Sequence, residues 1–580
     1  MITEKIRELI KETIKELQKE GVFIEFKLPE IIVEHPEEKT HGDYSTNVAM
    51  VIAKQIKKNP LEIAKQINWK LKIKNWKFLD KVEVIEPGFI NFFFSKEYLI
   101  SELKRILIER DKYGLSKIGK GKTVIIDYSA PNIAKSFGVG HLRSTIIGQA
   151  LYNIYKFLDW KCIGDNHLGD WGTQFGKLIV AIKLWNEKKL KDLTIQELEI
   201  LYVKLHQEAE KNPELLEQAR QEFKKLEQGD KEIKKIWQFC VSISLKEFDK
   251  IYKLLGVKID YALGESFYQD KMKAVIEGAK KRDITEKSQD ALVIPLQDIK
   301  IPLMLLKSDG ATTYATRDLA TIKYRIEKWK PDLIIYEVGA DQKLYLQQLF
   351  KSAEMLGYGN KEKFVHVAHG LVRWPHGKFS TRRGDTIHLE KVLEEAIVRA
   401  KEMIEKSTFK NFSQKEKEKV AKIVGIGAIK YNDLSRHHSQ DIIFDWERIL
   451  SLDGNSGPYL QYTAVRCQSV LDKIKKEKFE INPPLFLKKW RVNQEEELIL
   501  RNLYKFPEIV QRAADSFSPN IICNFAFDLS QKYNLFYEKH PILTAETNEI
   551  REFRLTLTAG VKQVLKNCLT LLGISIPEKM

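Results

Sequence analysis

Cysteine is scarce in this chain of 580 residues, with five in all. They stand far apart, at Cys162, Cys240, Cys467, Cys523 and Cys568. None falls in a CxxC pair or a Cys/His cluster, which argues against a structural zinc module. An odd, scattered set in so long a chain reads as reduced thiols, and a cytoplasmic location is expected. Long apolar runs are missing too. No uninterrupted stretch reaches the roughly 20 residues that a bilayer span requires, so no membrane partner is expected. The opening segment "MITEKIRELIKETIKELQKEG" has no secretory apolar region, and Glu4, Glu8 and Glu12 argue against a transit peptide. Internal repeats and low-complexity linkers are absent.

What is abundant is positive charge. Lys plus Arg number 96 against 80 Asp plus Glu, a formal net charge of +16. Such a balance favours a polyanionic partner, nucleic acid before anionic membrane. A lysine-rich proteome gives the same balance without any such partner.

The chain divides by pattern. Residues 1–110 read as a compact α/β module, whose first helix places Ile6, Leu9, Ile10, Ile14 and Leu17 on one stripe. Within it, "HGDYSTNVAMVIAKQIKKN" predicts a loop and then a helix with Ser45 or Thr46 as N-cap. "KVEVIEPGFINFFFS" predicts two strands hinged at Pro87-Gly88. Residues 111–177 begin a doubly wound parallel sheet with the buried-strand run "KTVIIDY". A following helix carries Leu142, Ile146, Ala150, Ile154 and Phe157 on one face. Residues 178–290 are helix-rich and highly charged, an insertion with no evident reactive cluster. Residues 291–400 resume the sheet, with "DALVIPL", "PDLIIYEVG" and "KFVHVAHGLV" as strands. Residues 401–580 read as all-helical. The expected fold is thus multidomain α/β: an N-terminal α/β module, a Rossmann-like parallel-sheet domain split by a helical insertion, and an all-α C-terminal domain.

Three constellations carry chemistry. In "DYSAPNIAKSFGVGHLRSTIIG", Gly138 and Gly140 let backbone N–H groups approach an anion, and the next helix offers its positive end. His141 is placed to donate to a phosphate and Lys135 to supply charge; a plain glycine turn with a packed histidine is the alternative. The second constellation collects fixed carboxylates beside an aromatic and an amide, groups that can accept hydrogen bonds from a polar or cationic ligand. Asp127 ends a strand, Tyr314 and Asp318 lie one helical turn apart, and Gln342 opens a helix after a strand. A helix cap for Asp318 and a surface acid for Asp127 are the alternatives. The third is the basic loop "WPHGKFSTRRGDTIHLEKVL". There Lys378, Arg382 and Arg383 surround Ser380 and Gly384, a composition that suits a pyrophosphate gaining charge. A solvated basic loop is the alternative. In the tail, Tyr459 and Tyr462 are three apart with Arg466 a turn further on, a spacing that allows bases to stack beside an arginine. Ordinary helix packing has the same spacing.

Taken together, "PNIAK", "GVGHLRST", "NHLGDWGTQFG", "TTYATRDLA" and "KFSTRRGD" resemble the signatures of class I aminoacyl-tRNA synthetases in the form used by arginyl-tRNA synthetases. Two departures stand out. Gly138 occupies the place where many members have the first histidine of the HIGH-type tetrad, and Thr381 that of the second lysine of the KMSK-type loop. The resemblance implies ATP-dependent formation of arginyl-adenylate and transfer to the 3′-terminal ribose of tRNA(Arg), with Mg²⁺ accompanying ATP and no structural metal. It implies Lys135, His141 and Lys378 as catalytic groups. ATP would meet Lys135, Gly138, Gly140, His141, Lys378 and Ser380, with Lys135 or the loop arginines replacing the missing lysine. Arginine would meet Asp127, Asn132, Tyr314, Asp318 and Gln342. Members often have Glu where Asp127 stands, so a gap or a water is expected there. Phe89 and Asn91 of the N-terminal module, which resembles the domain that contacts the tRNA elbow, would meet a D-loop base. Tyr459, Tyr462, Arg466 and Tyr537 would face the anticodon region. A monomer is expected. The rival readings are a tRNA-binding relative that has lost activation, and another class I ligase such as a cysteinyl one.

Overall fold

The computed structural model describes residues 2–73, 76–374, 377–378, 388–406, 412–475 and 492–580. It forms two compact units. The first comprises residues 1–114, 466–509 and 528–567, and the second residues 115–465, 510–527 and 568–580.

In the first unit the helix Ile2–Lys19 buries Ile6, Leu9, Ile10, Ile14 and Leu17, the stripe expected from its period. Strands Leu79–Ile85 and Phe89–Phe94 pair antiparallel around Pro87-Gly88. A third strand, Tyr44–Thr46, joins the other edge. That strand corrects the expected N-caps. Ser45 and Thr46 are extended and sheet-paired, and the helix starts at Val48 behind Asn47, which makes no side-chain cap; only the Thr46 hydroxyl still accepts the Val48 N–H, at 3.3 Å. The reason is local: Tyr44 packs against Phe94, so this face of the segment pays more as sheet than as loop. Asp43 organises the unit. It is 4% exposed, and its carboxylate accepts the Phe94 N–H at 2.7 Å, the Tyr504 hydroxyl at 3.2 Å and the Arg501 guanidinium.

The second unit is built on four parallel strands: β1 (Thr123–Asp127), β2 (Lys161–Asp165), β3 (Leu333–Gly339) and β4 (Phe364–His369). Their order is β4-β3-β1-β2. Chain order reverses between β1 and β3, and ligands bind in the crevice beyond the carboxyl ends at such a point. All five residues of β1 are buried, as a continuous apolar run in a parallel sheet should be. Helix α1 (Gly140–Phe157) follows β1 and is buried almost all round. It packs close because Gly148 has no side chain; a Cβ there would lie 2.3 Å from the Cβ of Tyr128. Helix α2 (Tyr314–Trp329) lays Ala315, Leu319 and Ile322 into a core with Ile125, Ile163 and Ile334.

Two expectations fail here. Ala291–Leu296 is not a strand of the parallel sheet. It is the middle strand of a separate antiparallel sheet with Glu286–Ser288 and Ile299–Leu306. Only Gln297 and Asp298 separate it from the next strand, and so short a connection makes a hairpin, never a parallel crossover. The tail after residue 401 is not wholly helical either, because Ile442–Ile443 pairs parallel with Val372–Trp374. The insertion is helical as expected, led by Ile195–Lys211, Glu214–Glu227 and Lys231–Leu255.

Replacing Asp43 by Ala should destabilise the protein by at least about 2 kcal/mol, because a buried N–H and a guanidinium lose a charged acceptor together. Urea unfolding of the variant beside the unaltered protein measures this.

Candidate functional site

Beyond the end of β1 the chain leaves ordinary backbone space. Ser129, Ala130 and Ala134 have φ of 77°, 42° and 59°, in the left-handed region that favours glycine. Each such residue costs about 1–3 kcal/mol and persists only where its surroundings fix it. Here they do. The Ser129 N–H donates to Ser144 Oγ at 2.8 Å, that of Ala130 to Asn166 Oδ1 at 3.0 Å, and that of Ala134 to Ser244 Oγ at 2.8 Å. The loop thus rests on α1, on the segment after β2 and on an insertion helix. Asn132 pairs with Gly169 through backbone, and a Cβ at Gly169 would lie 2.3 Å from Asn132 Oδ1. The segments "PNIAK" and "NHLGDWG" are therefore held edge to edge.

At the start of α1, His141 is packed edge-on to Phe137 with its Nδ1 buried and unpartnered. Burial, with a smaller push from Lys135, lowers its pKa to about 4. It is a neutral imidazole at pH 7. Next to it, Arg143 is buried with Asp433 at 3.1 Å and donates to the Gln440 carbonyl at 2.7 Å. At the ends of β3 and β4, His369 meets Glu337 at 3.0 Å. Burial works against the His369 cation, but Glu337 prevails and its pKa rises. Lys135 extends over the ring of Tyr202, 5.2 Å from its centroid. Gly138 pairs with His388, where the chain returns from the basic loop, and the Leu389 N–H donates to the Phe137 carbonyl at 2.8 Å. Ser380, Thr381, Arg382, Arg383 and Gly384 lie outside the described residues. Of Lys378 only the backbone is described, in the strand Gly377–Lys378.

The acidic groups separate into two. Asp127 and Asp165 are register partners on β1 and β2, and buried Arg325 from α2 bridges them at 2.7 and 2.8 Å. The two carboxylates raise the arginine's pKa well above its usual value despite complete burial. This changes the expectation for Asp127. It faces no gap: the chain's own guanidinium takes one oxygen, and only Oδ1 remains unpartnered. Asp318 is the more accessible acid. The Tyr345 hydroxyl donates to its Oδ2, and His167 Nε2 lies 3.5 Å from its Oδ1. Burial opposes the His167 cation, yet Asp318 beside it and Asp127 behind it raise its pKa. Tyr314 is 63% exposed and stands edge-on to Tyr345 at 5.0 Å. Gln342 is exposed at the start of the helix Lys343–Met355. Among the described residues no cluster of three or more His, Cys, Asp or Glu is arranged to hold a metal. No described helix is long and apolar enough to cross a membrane.

Family models match along the chain. Residues 102–446 match the tRNA synthetases class I (R) catalytic domain, residues 4–94 the arginyl tRNA synthetase N terminal domain, and residues 460–580 the DALR anticodon binding domain. An arginine–tRNA ligase of Clostridioides difficile is 42% identical, with 99% of each chain covered. One of Clostridium botulinum is 41% identical over 98% of this chain and 100% of its own. The chain belongs to the arginyl-tRNA synthetase family. Among solved structures, the arginyl-tRNA synthetase of Plasmodium falciparum superposes with a TM-score of 0.83 at 27% identity, covering 100% of this chain and 99% of that one. That of Thermus thermophilus has the same fold, with a TM-score of 0.81 at 22% identity and full coverage of both.

For an arginyl-tRNA synthetase, the RNA-facing candidates are placed unevenly. Arg466 lies over the ring of Tyr537 at 4.9 Å, and Tyr537 is 39% exposed. Tyr459 and Tyr462 lie on the helix Gly457–Lys475, with Tyr459 packed on Phe527. Phe89 is partly exposed on its strand. Asn91 is only 2% exposed, and its Oδ1 accepts the Ser45 hydroxyl at 2.7 Å. The strand is covered at Ile90, Asn91 and Phe92 alike, and Asn91 spends its amide oxygen on its register partner Ser45, so Asn91 is withdrawn as an RNA contact. Sequence reasoning missed His167, Tyr345, Arg325 and Glu337. His167 alone had a signal, inside the glycine-rich "NHLGDWG" segment.

Two outcomes follow for this synthetase. Arg325→Met leaves two buried carboxylates facing each other, and a loss of about 3–5 kcal/mol is expected in urea unfolding. His141 binds a proton at 6.5 when unfolded but only near 4 when folded, so its stabilising contribution is complete above pH 6.5 and is lost as pH falls towards 4. About 2 kcal/mol of the stability lost between pH 7 and pH 5 should therefore disappear in His141→Gln, as measured by urea unfolding at both values.

Proposed function

We infer that this protein ligates L-arginine to tRNA(Arg) at the expense of ATP. A single observation at the site supports the choice of amino acid: Asp318 presents a carboxylate at the crevice, oriented by Tyr345 and His167. A guanidinium is a planar fork of donors, and a fixed carboxylate is its natural acceptor. Asp318 takes the substrate fork, and the remaining oxygen of Asp127 is the second acceptor. Tyr314 covers the side chain. Asn132 and Gln342 are assigned to the amino and carboxylate end.

The reaction has two steps. An oxygen of the arginine carboxylate attacks the α-phosphate of ATP, the bond to the β-phosphate breaks, and pyrophosphate leaves with arginyl-adenylate formed. A terminal ribose hydroxyl of the tRNA then attacks the arginyl carbonyl and AMP leaves. Little covalent work falls to the protein, which contributes position and charge. Gly138, Gly140 and the amino end of α1 receive the phosphates. His141 is neutral at working pH, so it donates a hydrogen bond without carrying charge, and Lys135 and Lys378 carry it. Ser380 lies on the same basic loop. Mg²⁺ is proposed to arrive with ATP. Phe89, Tyr459, Tyr462, Arg466 and Tyr537 are assigned to tRNA.

The rival reading, a tRNA-binding relative without activation, is motivated by Gly138 and Thr381. Pyrophosphate exchange into ATP separates the two, run with arginine and with tRNA present. Exchange dependent on arginine alone among the twenty amino acids is expected; no exchange at saturation would leave only the tRNA-binding reading. Asp318→Ala should raise the arginine KM by about 10–100-fold, the loss of a charge-assisted pair, while the ATP KM stays within about twofold.

A further inference from the structure

The helical insertion touches the signature loop at successive residues. The Ser136 hydroxyl donates to Glu199 at 2.6 Å, and the Lys135 ammonium lies 5.2 Å from the ring centroid of Tyr202. Glu199 and Tyr202 both belong to the helix Ile195–Lys211, three residues apart and so on one face. Two consecutive loop residues therefore meet two helix residues one turn apart. Behind Tyr202, the His206 ring is edge-on at 4.7 Å, and Lys177 Nζ lies 3.5 Å from His206 Nε2. Burial lowers the pKa of His141 on α1 and of His206 on the insertion, and the charge of Lys135 adds to the shift at both. Lys135 thus stands between the phosphate loop and the insertion.

We propose that Tyr202 is a positioning residue for Lys135: its ring face holds the ammonium extended beside the phosphate loop, ready for the triphosphate. A lysine carries a flexible four-carbon stem and loses much freedom when it is fixed. An aromatic face attracts the cation without neutralising it, whereas a carboxylate would cancel the charge that ATP needs. The insertion, which carries no reactive group of its own, thereby sets the reactivity of the loop it covers. This inference rests on the reading that Lys135 meets the phosphates.

The test is pyrophosphate exchange with arginine and tRNA present, on Tyr202→Leu, Tyr202→Phe, Lys135→Ala and the Tyr202→Leu/Lys135→Ala double variant. Tyr202→Phe keeps the ring face and should match the unaltered protein. Tyr202→Leu should lower kcat by about two- to fivefold, the range for a partly exposed cation on a ring, with the arginine KM unchanged. In the Lys135→Ala background the same change should have no further effect. An unchanged rate in Tyr202→Leu overturns the proposal. So does an equal fall in Tyr202→Phe, or a loss that persists in the double variant, since each marks a merely structural role. If Lys135→Ala itself leaves exchange unchanged, the phosphate reading of Lys135 fails first.

Discussion

Two carboxylates stand opposite each other on neighbouring strands, and one buried guanidinium makes that arrangement stable. Asp127 and Asp165 are paired in register at the carboxyl ends of β1 and β2, where like charges repel at close range. Arg325 from α2 lies between them with no exposed surface. The triad joins β1, β2 and a helix at the carboxyl end of the sheet. From the same helix, two turns earlier, Asp318 reaches the crevice. The place of Asp318 is therefore set by the helix that the internal arginine anchors.

A second layer of constraint fixes the phosphate side. Left-handed backbone at Ser129, Ala130 and Ala134 is unfavourable in isolation, and three separate side chains hold it there. One of them, Ser244, comes from the insertion. Arg143 and Asp433 bury a further ion pair between α1 and the helix Gln414–Leu434. Such pairs add little stability compared with apolar packing, but losing one partner is costly, so they enforce one arrangement. Three separate hydrogen bonds thus fix the backbone of the loop after β1, the kind of preorganisation on which a site built on positioning and charge depends.

Much of this was legible in the sequence. Strands β1 and β3 announced themselves as apolar runs, and α1 by its period. The clustered Pro131, Asn132, Lys135 and His141 mark the loop after β1 as a distinctive segment. What escaped was long-range. Arg325 sits in "TIKYRIEKW" among Lys323, Glu327 and Lys328, and reads as one more charge on a solvated face. Its partners are 198 and 160 residues away, beyond any local pattern. The sequence around Asp127 gives no sign that one of its oxygens is taken by the chain's own arginine. Serine and alanine give no sign of positive φ, so the strained loop was unreadable as well. The strand Ile299–Leu306 was overlooked because the run "IKIPLMLL" merges with the one before it, with only Gln297 and Asp298 as a turn. Asn91 was misplaced for want of the partner strand that shows which way it faces.

The proposed division of labour is between acids: Arg325 holds Asp165 and one oxygen of Asp127, and Asp318, with the remaining Asp127 oxygen, takes the substrate fork. A crystal structure with L-arginine bound tests it directly. The substrate guanidinium should lie on Asp318, with Arg325 still bridging Asp127 and Asp165. A substrate guanidinium seated between Asp127 and Asp165 with Arg325 displaced, or one that makes no contact with Asp318, would contradict it.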